Sequence, residues 1–247
     1  MTREGSVNLR SAEQVSASEP ARRGRTETGL KGRFYAPKTP ATSSKDLALD
    51  FIDSIESTWK GHEPFALWLV KKLKPKTIVD LGFDRGLSTV AFAYKNKGHV
   101  FGVDWFEEGG YSEKCFALDR AFANIANAIR FNYAKNIHLI IGPFSHVSRG
   151  WNRKIDLLHI DWAHTYKSVK THYDNWSSFL TKDGVVLIHD VTSHPDEVGK
   201  FFREIKKPKF LFPAAAGLGV VCANQKLLDE IREGWSRVSK MKIETFG

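Results

Sequence analysis

Short runs of β-branched and aliphatic residues alternate with longer stretches of helical periodicity through most of this chain. Seven runs have the length and composition of strands, and they cover residues 77–81, 100–103, 137–141, 155–160, 184–188, 210–212 and 218–222. Between them, apolar residues recur every three or four positions, as at Leu118, Phe122, Ile125 and Ile129. Strands that alternate with helices form a mostly parallel sheet with both faces covered. The sequence therefore predicts an α/β fold with a doubly wound, mostly parallel seven-stranded sheet.

The first 45 residues lack hydrophobic periodicity and are rich in Ser, Thr, Arg, Gly and Pro, so we expect a flexible, disordered arm. This arm carries nine Lys or Arg and four Glu, which is more than half of the net charge of +9. It can contact nucleic acid or another anionic surface, or it can simply be a solvated extension. The periodic pattern begins at Asp46, and we predict a single folded domain over 46–247.

The cysteine content and the hydropathy pattern exclude several classes of protein. Cys115 and Cys222 are far apart and give neither metal-ligand spacing nor a disulfide framework, which suits a reducing compartment. No apolar run approaches the roughly 20 residues of a membrane helix, and the N-terminus has no apolar signal segment. We therefore expect a cytoplasmic protein without a membrane partner.

A glycine-rich turn follows the first predicted strand, with the sequence D-L-G-F-D-R-G-L-S-T over 80–89. Gly82 and Gly86 allow a ligand to approach the backbone closely, and Asp104, after the second strand, can accept both ribose hydroxyls of a nucleoside. The spacing G-x-x-x-G differs from the G-x-G-x-x-G of dinucleotide sites, and Asp84 would repel a pyrophosphate. Asp84 can instead face the ammonium of a methionine group, with Arg85 facing its carboxylate. The turn favours S-adenosylmethionine over NAD, although such a turn also occurs without a ligand.

A second group of polar residues follows the fourth and fifth predicted strands. Asp161 ends the fourth strand, His164 comes three residues later, and the fifth strand ends at His189 and Asp190. Adjacent strands would bring Asp161 and Asp190 together, and with His189 or water they can hold Mg²⁺ or Mn²⁺. Such a cation lowers the pKa of an acceptor hydroxyl, and His164 can take the proton. Taken singly, Asp161 can also cap the next helix, and His189 can be a core residue.

Three other histidines have simpler interpretations. His159 lies inside the fourth strand, so we expect a hydrogen-bonded core residue rather than a ligand. His62 is expected on the surface. His194 comes shortly after the fifth strand and can reach a substrate pocket there.

These segments resemble the motifs of a known enzyme family. The segment V-D-L-G-F-D-R-G-L-S-T over 79–89 resembles the first motif of class I S-adenosylmethionine-dependent methyltransferases. The segments D-L-L-H-I-D-W-A-H-T-Y over 156–166 and L-T-K-D-G-V-V-L-I-H-D over 180–190 resemble the O-methyltransferase group called methyltransferase domain 24. That group is similar to macrolide-sugar O-methyltransferases and, more remotely, to catechol O-methyltransferase. The resemblance covers roughly residues 62–223 and implies a Rossmann-like methyltransferase fold, with the methyltransferase domain over 46–247.

The resemblance also implies which residues form the sites. The cofactor would be bound by Asp80, Gly82, Phe83, Asp84, Gly86, Ser88, Asp104, Trp105, Ser145 and Asp161. The resemblance implies Asp161 and Asp190 as metal ligands and His164 as the general base, and we add His189 to the expected ligands. The chain departs from the family pattern in two places. Relatives often have an acid where His189 stands, and Gly142-Pro143 replaces a Gly-Asp or Gly-Ala pair after the third strand.

The expected activity is S-adenosylmethionine-dependent O-methylation of a small-molecule hydroxyl, such as that of a sugar, assisted by a divalent metal. Three alternatives remain open: a nucleic-acid methyltransferase presented by the basic arm, a non-catalytic adenosylmethionine-binding module, and a nicotinamide oxidoreductase. The nucleic-acid alternative is disfavoured because the folded part has no dense basic stripe with interleaved aromatic residues. The acceptor and the oligomeric state are left open by the sequence. All of these hypotheses require Gly82, Asp104, Asp161 and Asp190 to converge in one cleft.

Overall fold

The computed structural model describes residues 44–106, 111–130, 135–239 and 243–245. Its helices are α1 (Ser44–Ser54), α2 (Glu63–Leu73), α3 (Leu87–Ala93), α4 (Tyr111–Arg130), α5 (Phe144–Arg149), α6 (Tyr166–Ser177), α7 (Val198–Glu204) and α8 (Gln225–Ser236). Its strands are β1 (Thr77–Leu81), β2 (His99–Asp104), β3 (Ile137–Ile141), β4 (Ile155–Ile160), β5 (Leu180–Ile188), β6 (Lys209–Phe212), β7 (Leu218–Cys222) and β8 (Glu244–Thr245). Apart from its last two residues, the arm expected over 1–45 lies outside the described residues.

The strands form one sheet in the order β3-β2-β1-β4-β5-β7-β6-β8. The pairs from β3 to β5 are parallel, whereas β7 is antiparallel to both β5 and β6. This arrangement confirms the predicted α/β fold with a doubly wound, mostly parallel sheet. The sheet has eight strands rather than the seven predicted. The additional strand, β8, pairs with β6 through only two residues. A pairing that short leaves no periodic signal in a sequence.

Helices cover both faces of the sheet and create two hydrophobic cores. One core lies under α1, α2, α3, α4 and α8, and the other lies under α5, α6 and α7. Strand β1 contributes to both, since Ile78 packs in the first core while Val79 and Leu81 pack in the second. A strand buried on both faces does not alternate between apolar and polar residues, which agrees with the successive β-branched residues at the start of 77–81.

Helix α4 is rotated relative to the sequence-based expectation. Its buried face carries Ala121, Ile125 and Ala128, whereas Phe122 and Ile129 are 48% and 47% exposed. Ile125 on this face packs against the turn before α3, where a β-carbon at position 86 would lie 3.4 Å from its side chain. The expectation that Phe122 and Ile129 share the buried face is therefore wrong.

The parallel topology puts the carboxyl ends of β1, β2, β4 and β5 at one edge of the sheet and their amino ends at the opposite edge. Ligands of such sheets bind beyond the carboxyl ends, near the point where the strand order reverses. Here that point lies at β1 and its neighbour β4. Within the described ranges, no helix is both long and apolar enough to cross a membrane.

Candidate active site

Backbone hydrogen bonds tie the carboxyl ends of four neighbouring strands together. The Gly82 amide donates to the Val103 carbonyl at 2.8 Å, and the Asp161 amide donates to the Leu81 carbonyl at 2.9 Å. The His189 amide continues the series by donating to the carbonyl that ends β4 at 3.0 Å. Gly82, Asp104, Asp161 and Asp190 therefore follow adjacent strands at one edge, as the sequence-based hypotheses require.

The turn after β1 can be built only with glycine at its first position. Gly82 has φ +85°, and a β-carbon there would lie 1.8 Å from the carbonyl oxygen of Asp161. Gly86 also has φ +90° and immediately precedes α3. Asp84, between them, has φ +43° and an exposed side chain. Backbone in this left-handed region is strained for other residues, and such strain clusters at ligand-binding turns.

A buried hydrogen-bond network supports this turn from below. The Asp80 carboxylate accepts hydrogen bonds from Ser88 at 2.7 Å, from Thr89 at 2.5 Å and from Nδ1 of His159 at 2.7 Å. The indole of Trp59 donates to Nε2 of His159 at 3.0 Å. Since an indole N–H only donates, His159 must carry its proton on Nδ1 and be neutral.

This network changes the interpretation of two expected cofactor residues. Asp80 is fully buried and Ser88 is 4% exposed, and their side chains bind each other beneath the turn instead of facing the cleft. His159 is a hydrogen-bonded core residue, as expected. The expected roles of Asp80 and Ser88 at the cofactor thus become supporting ones, because their polar atoms are already used inside the core.

The end of β2 presents a buried carboxylate to the same turn. Asp104 is 1% exposed and accepts backbone N–H bonds from Asp84 and Phe106, both at 2.9 Å. Burial raises the pKa of this carboxyl from 3.8 to about 7, although the N–H donors oppose the shift. Phe83 is buried edge-on against Phe106, with ring centroids 5.4 Å apart.

The remaining expected cofactor contacts lie directly after β2 and in α5. Trp105 is 39% exposed directly after β2. Ser145 is half-buried in α5, where its carbonyl accepts a hydrogen bond from the Ser148 hydroxyl. Their side chains are therefore placed differently, with the indole available to a ligand on the surface and the serine partly enclosed.

Two carboxylates and two imidazoles cluster beyond β4 and β5. His164 donates from Nε2 to Asp190 at 2.8 Å and lies 3.8 Å from Asp161. His189 donates from Nδ1 to Asp161 at 3.2 Å and to Asp190 at 3.0 Å. Ser193 donates its hydroxyl to the second oxygen of Asp190. The side chain of His164 is 42% exposed and that of His189 is fully buried, so His164 lies at the mouth of the cluster.

The carboxylates and imidazoles stabilise each other's charges. The Asp161 and Asp190 carboxylates raise the pKa of His164 to about 10. Burial disfavours the charged form of His189, but the same two carboxylates outweigh the effect of burial and raise the pKa of His189 to about 10 as well. Burial likewise opposes the charge on Asp161 and Asp190, and the imidazoles overcome it and hold both pKa values below the usual range. The cluster is therefore a charge-balanced group of two anions and two cations.

One histidine at this site was not expected from the sequence. His62, immediately before α2, is fully buried and makes a 2.7 Å hydrogen bond from Nε2 to the Ala215 carbonyl. Its ring meets that of His189 edge-on, with centroids 5.2 Å apart. Burial and the neighbouring His189 lower its pKa to about 4, so it is neutral. The expectation of a surface residue is wrong, because the start of α2 packs against the site and no local pattern reports this.

His194 also reaches the cluster. Its ring stacks on that of His164 with centroids 4.6 Å apart and an interplanar angle of 10°. Nε2 of His189 and Nδ1 of His62 are buried without a hydrogen-bond partner among the described residues. Buried polar atoms are normally paired, so these nitrogens are typical of a site that water or a ligand completes.

The donor set fits a divalent cation. One ligand atom from each of Asp161, His164 and Asp190 lies within 4.8 Å of the others. Carboxylate oxygens suit Mg²⁺ and Mn²⁺, and an added imidazole nitrogen shifts the preference toward transition metals. The expected ligand His189 contacts the same two carboxylates from the buried side.

Comparison with known families identifies the enzyme class. Residues 79–191 match the model of a methyltransferase domain family. Over this segment, a little under half of its length, the chain is similar to that methyltransferase family. The match spans β1 to the first residues after β5, and it therefore includes the turn 82–86, Asp104 and the Asp–His cluster. The prediction of an S-adenosylmethionine-dependent methyltransferase of this group is confirmed.

Solved structures share the fold of this methyltransferase. An O-methyltransferase from Bacillus cereus in complex with SAH superimposes with a TM-score of 0.52 at 14% identity, covering 75% of this chain and 93% of that one. The SAH-bound methyltransferase PaMTH1 of Podospora anserina gives a TM-score of 0.54 at 14% identity, covering 73% and 88%. Identities this low establish the architecture alone.

A longer relative has higher identity. Protein y4gI of Sinorhizobium fredii is 30% identical over 203 residues, which is 76% of this chain and 21% of that protein. The methyltransferase chain thus spans about a fifth of the length of this relative.

Proposed function

We propose that this methyltransferase transfers the methyl group of S-adenosylmethionine to a hydroxyl of a small molecule, assisted by a divalent cation. The observation that carries the proposal is that Asp161, His164 and Asp190 lie at the same sheet edge as the turn 82–86 and Asp104. One edge therefore offers a nucleoside-type turn beside an acid–imidazole donor set. Methyl transfer to oxygen needs both a bound donor and a means of deprotonating the acceptor.

The cofactor would lie over the turn 82–86. The two backbone N–H bonds to Asp104 fix the orientation of its carboxylate, which supports a role in accepting the ribose hydroxyls. The exposed indole of Trp105 directly follows, and we assign it to the adenine. Asp84 and Arg85 would face the methionine ammonium and carboxylate.

The metal would be held by Asp161 and Asp190 with one imidazole. When bound, a divalent cation supplies charge that polarises the acceptor hydroxyl and lowers its pKa. The mixed oxygen and nitrogen donors favour Mn²⁺ over Mg²⁺. The expected ligand His189 faces both carboxylates through Nδ1, and it would have to lose the proton that it donates to them before this nitrogen could bind the cation.

His164 is then the group that accepts the hydroxyl proton. It is the exposed imidazole of the cluster, so an acceptor can reach it. With its pKa near 10 it carries a proton at neutral pH and is a hydrogen-bond donor rather than a base. The base role therefore requires that another positive charge compensates the two carboxylates. This requirement links the proposed base to the proposed cation.

A sugar or another polyhydroxylated molecule is the proposed acceptor. The stacked rings of His164 and His194 and the exposed Ser193 give the mouth of the cluster polar walls. A few convergent polar groups of this kind orient a small ligand by hydrogen bonding. The chemistry of the walls supports a hydroxylated acceptor over an apolar one.

Calorimetry on the intact chain tests the two binding sites separately. S-adenosylmethionine is titrated with and without Mn²⁺ or Mg²⁺ into wild type, Asp104→Ala and Asp161→Asn. We expect Asp104→Ala to weaken cofactor binding and Asp161→Asn to abolish the effect of the metal while sparing the cofactor. Asp174→Asn, an exposed carboxylate on α6, is the matched control and should behave as wild type.

Turnover is measured as S-adenosylhomocysteine release with a panel of hydroxylated acceptors. His164→Ala should leave cofactor binding intact and lower turnover by about 10²–10⁴-fold, the usual contribution of a general base. His146→Ala, at an exposed position on α5, should have no effect. Cofactor binding without turnover on any acceptor would instead indicate a non-catalytic module. Equal loss of binding and turnover in every variant would point to misfolding and contradict the assigned roles.

A further inference from the structure

A second cavity, of about 900 Å³, opens at the amino ends of β1 and β2. Its walls come from α1, α2, the turn 74–76 that enters β1, and the segment 94–99 that enters β2. The five residues of β1 separate the two edges of the sheet by about 15 Å. A ligand in this cavity would therefore leave the candidate active site free.

The floor of the cavity is apolar. Val70 and Tyr94 are buried, Leu67 and Trp68 are half-buried, and Leu49 is 36% exposed at the rim. The volume lies within the roughly 300–1,000 Å³ of small-molecule sites, which are lined mostly by hydrophobic and aromatic residues. The cavity can thus enclose the apolar body of a small molecule.

The rim, by contrast, is strongly basic. Its charged residues are all lysines: Lys71, Lys74, Lys76, Lys95 and Lys97. Among the lining residues that the structure describes there is neither Asp nor Glu. None of the five forms an ion pair with a described carboxylate. Lys95 lies over the Tyr94 ring at 5.0 Å, and the positive charge of the rim is otherwise left to solvent ions or a ligand.

A neighbouring groove of about 1020 Å³ has a partly compensated surface. It shares Lys74 and Lys76 with the cavity, but it also contains Asp156, Asp183 and Glu230. Glu230 lies 3.3 Å from Lys72 in an ion pair. Of these two sites, only the cavity at the amino ends of β1 and β2 has a rim without carboxylates, and the groove supplies lysines for a control.

We propose that this cavity binds an amphiphilic anion, a small molecule with an apolar chain or ring and a phosphate or carboxylate group. The floor would bury the apolar part, and the lysines would pair with the anionic group as multiple point charges. The first 45 residues of the chain carry a net charge of +5, the same sign as the rim, which disfavours them as the occupant. The proposal does not depend on the methyl-transfer function at the other edge.

The test is calorimetric titration of the full chain with dodecyl phosphate below its micelle concentration. Inorganic phosphate, dodecyl maltoside and phosphatidylglycerol vesicles are titrated separately. We expect saturable 1:1 binding of dodecyl phosphate, and binding at least about tenfold weaker for phosphate and for the neutral detergent, since each lacks one half of the recognition. Equal binding of the neutral detergent, or binding to vesicles alone, would overturn the proposal.

Variants locate the site without altering the active-site edge. Lys71→Gln combined with Lys97→Gln should weaken dodecyl phosphate binding by about tenfold or more, as expected for two lost charge-assisted contacts. Lys154→Gln combined with Lys226→Gln removes the same charge from the neighbouring groove and should change it by less than about twofold. Leu49→Asp, at an exposed position, should also weaken binding. An equal loss of dodecyl phosphate binding in both double-lysine variants would refute a specific site. S-adenosylmethionine binding should be unchanged in all three variants.

Discussion

Asp104 should make the stability of the methyltransferase depend on pH in a way that the variant Asp104→Asn does not share. Folding buries this carboxyl and raises its pKa from 3.8 to about 7. The folded protein therefore binds the proton more tightly than the unfolded chain does. The contribution to stability is fully present below the unfolded pKa and is lost as the pH rises through about 7.

The size of the effect follows from the shift. A difference of about three pKa units corresponds to about 4 kcal/mol, at 1.36 kcal/mol for each unit. The side chain is 1% exposed, so solvent screening removes little of it. Between pH 5 and pH 8 the free energy of unfolding of wild type should fall by about 3 kcal/mol relative to Asp104→Asn. The histidines of the active-site cluster titrate in both proteins and cancel in this comparison.

The measurement is urea denaturation of both proteins without cofactor, followed by tryptophan fluorescence and circular dichroism at several pH values. Two-state transitions that coincide by both probes allow the free energies to be compared. The expected result is a difference between the two proteins that changes steadily from pH 5 to about 7 and then levels off. A difference that stays constant across this range would refute the reasoning, because it would mean that burial does not hold a proton on Asp104.

Three further predictions follow from single contacts. Gly82→Ala should lower the free energy of unfolding by at least about 3 kcal/mol, because at φ +85° it adds a β-carbon 1.8 Å from a carbonyl oxygen. The control Gly150→Ala, whose β-carbon would have no contact under 3.7 Å, should lower it by less than about 1 kcal/mol in the same urea denaturation assay. Trp59→Phe should cost about 1–3 kcal/mol in thermal or urea unfolding, because it leaves Nε2 of His159 buried without its donor, and an unchanged stability would contradict this. S-adenosylmethionine binding at pH 6.5 should release a proton, because ribose hydroxyls that stabilise the Asp104 carboxylate lower its pKa. The release is measured by calorimetry in buffers of different ionisation enthalpy, and a binding enthalpy that is the same in every buffer would contradict this prediction.

The hydrogen-bond network beneath the turn shows which features of the site residue type and spacing could predict and which they could not. The motif over 80–89 correctly predicted a strand, a glycine-rich turn and a helix. It could not indicate that Asp80 turns inward and takes Ser88 with it, because the partner of Asp80, His159, lies 79 residues away and Trp59 lies 100 residues from His159. Side chains within one motif can face the ligand or the core, and distant partners decide between the two.

Helix α4 gives a second example, in which periodicity was present but ambiguous. The predicted stripe of Leu118, Phe122, Ile125 and Ile129 has helical spacing, and so does the set of Ala121, Ile125 and Ala128. Hydropathy favours the predicted stripe, yet of its members Ile125 is buried with the two alanines, whereas Phe122 and Ile129 are exposed. Hydropathy therefore did not select the inner face.

The sequence by itself determined the alternation of strands and helices, and with it the edge at which Gly82, Asp104, Asp161 and Asp190 would meet, because parallel strands joined by helices must end on the same side. Only the tertiary structure decided that His62 joins the Asp–His cluster and that lysines from separate turns surround an apolar cavity at the opposite edge. These groups are distant along the chain, and packing of whole elements brings them together. Local periodicity reports which face of an element is buried, but it carries no information about which distant element will lie against it.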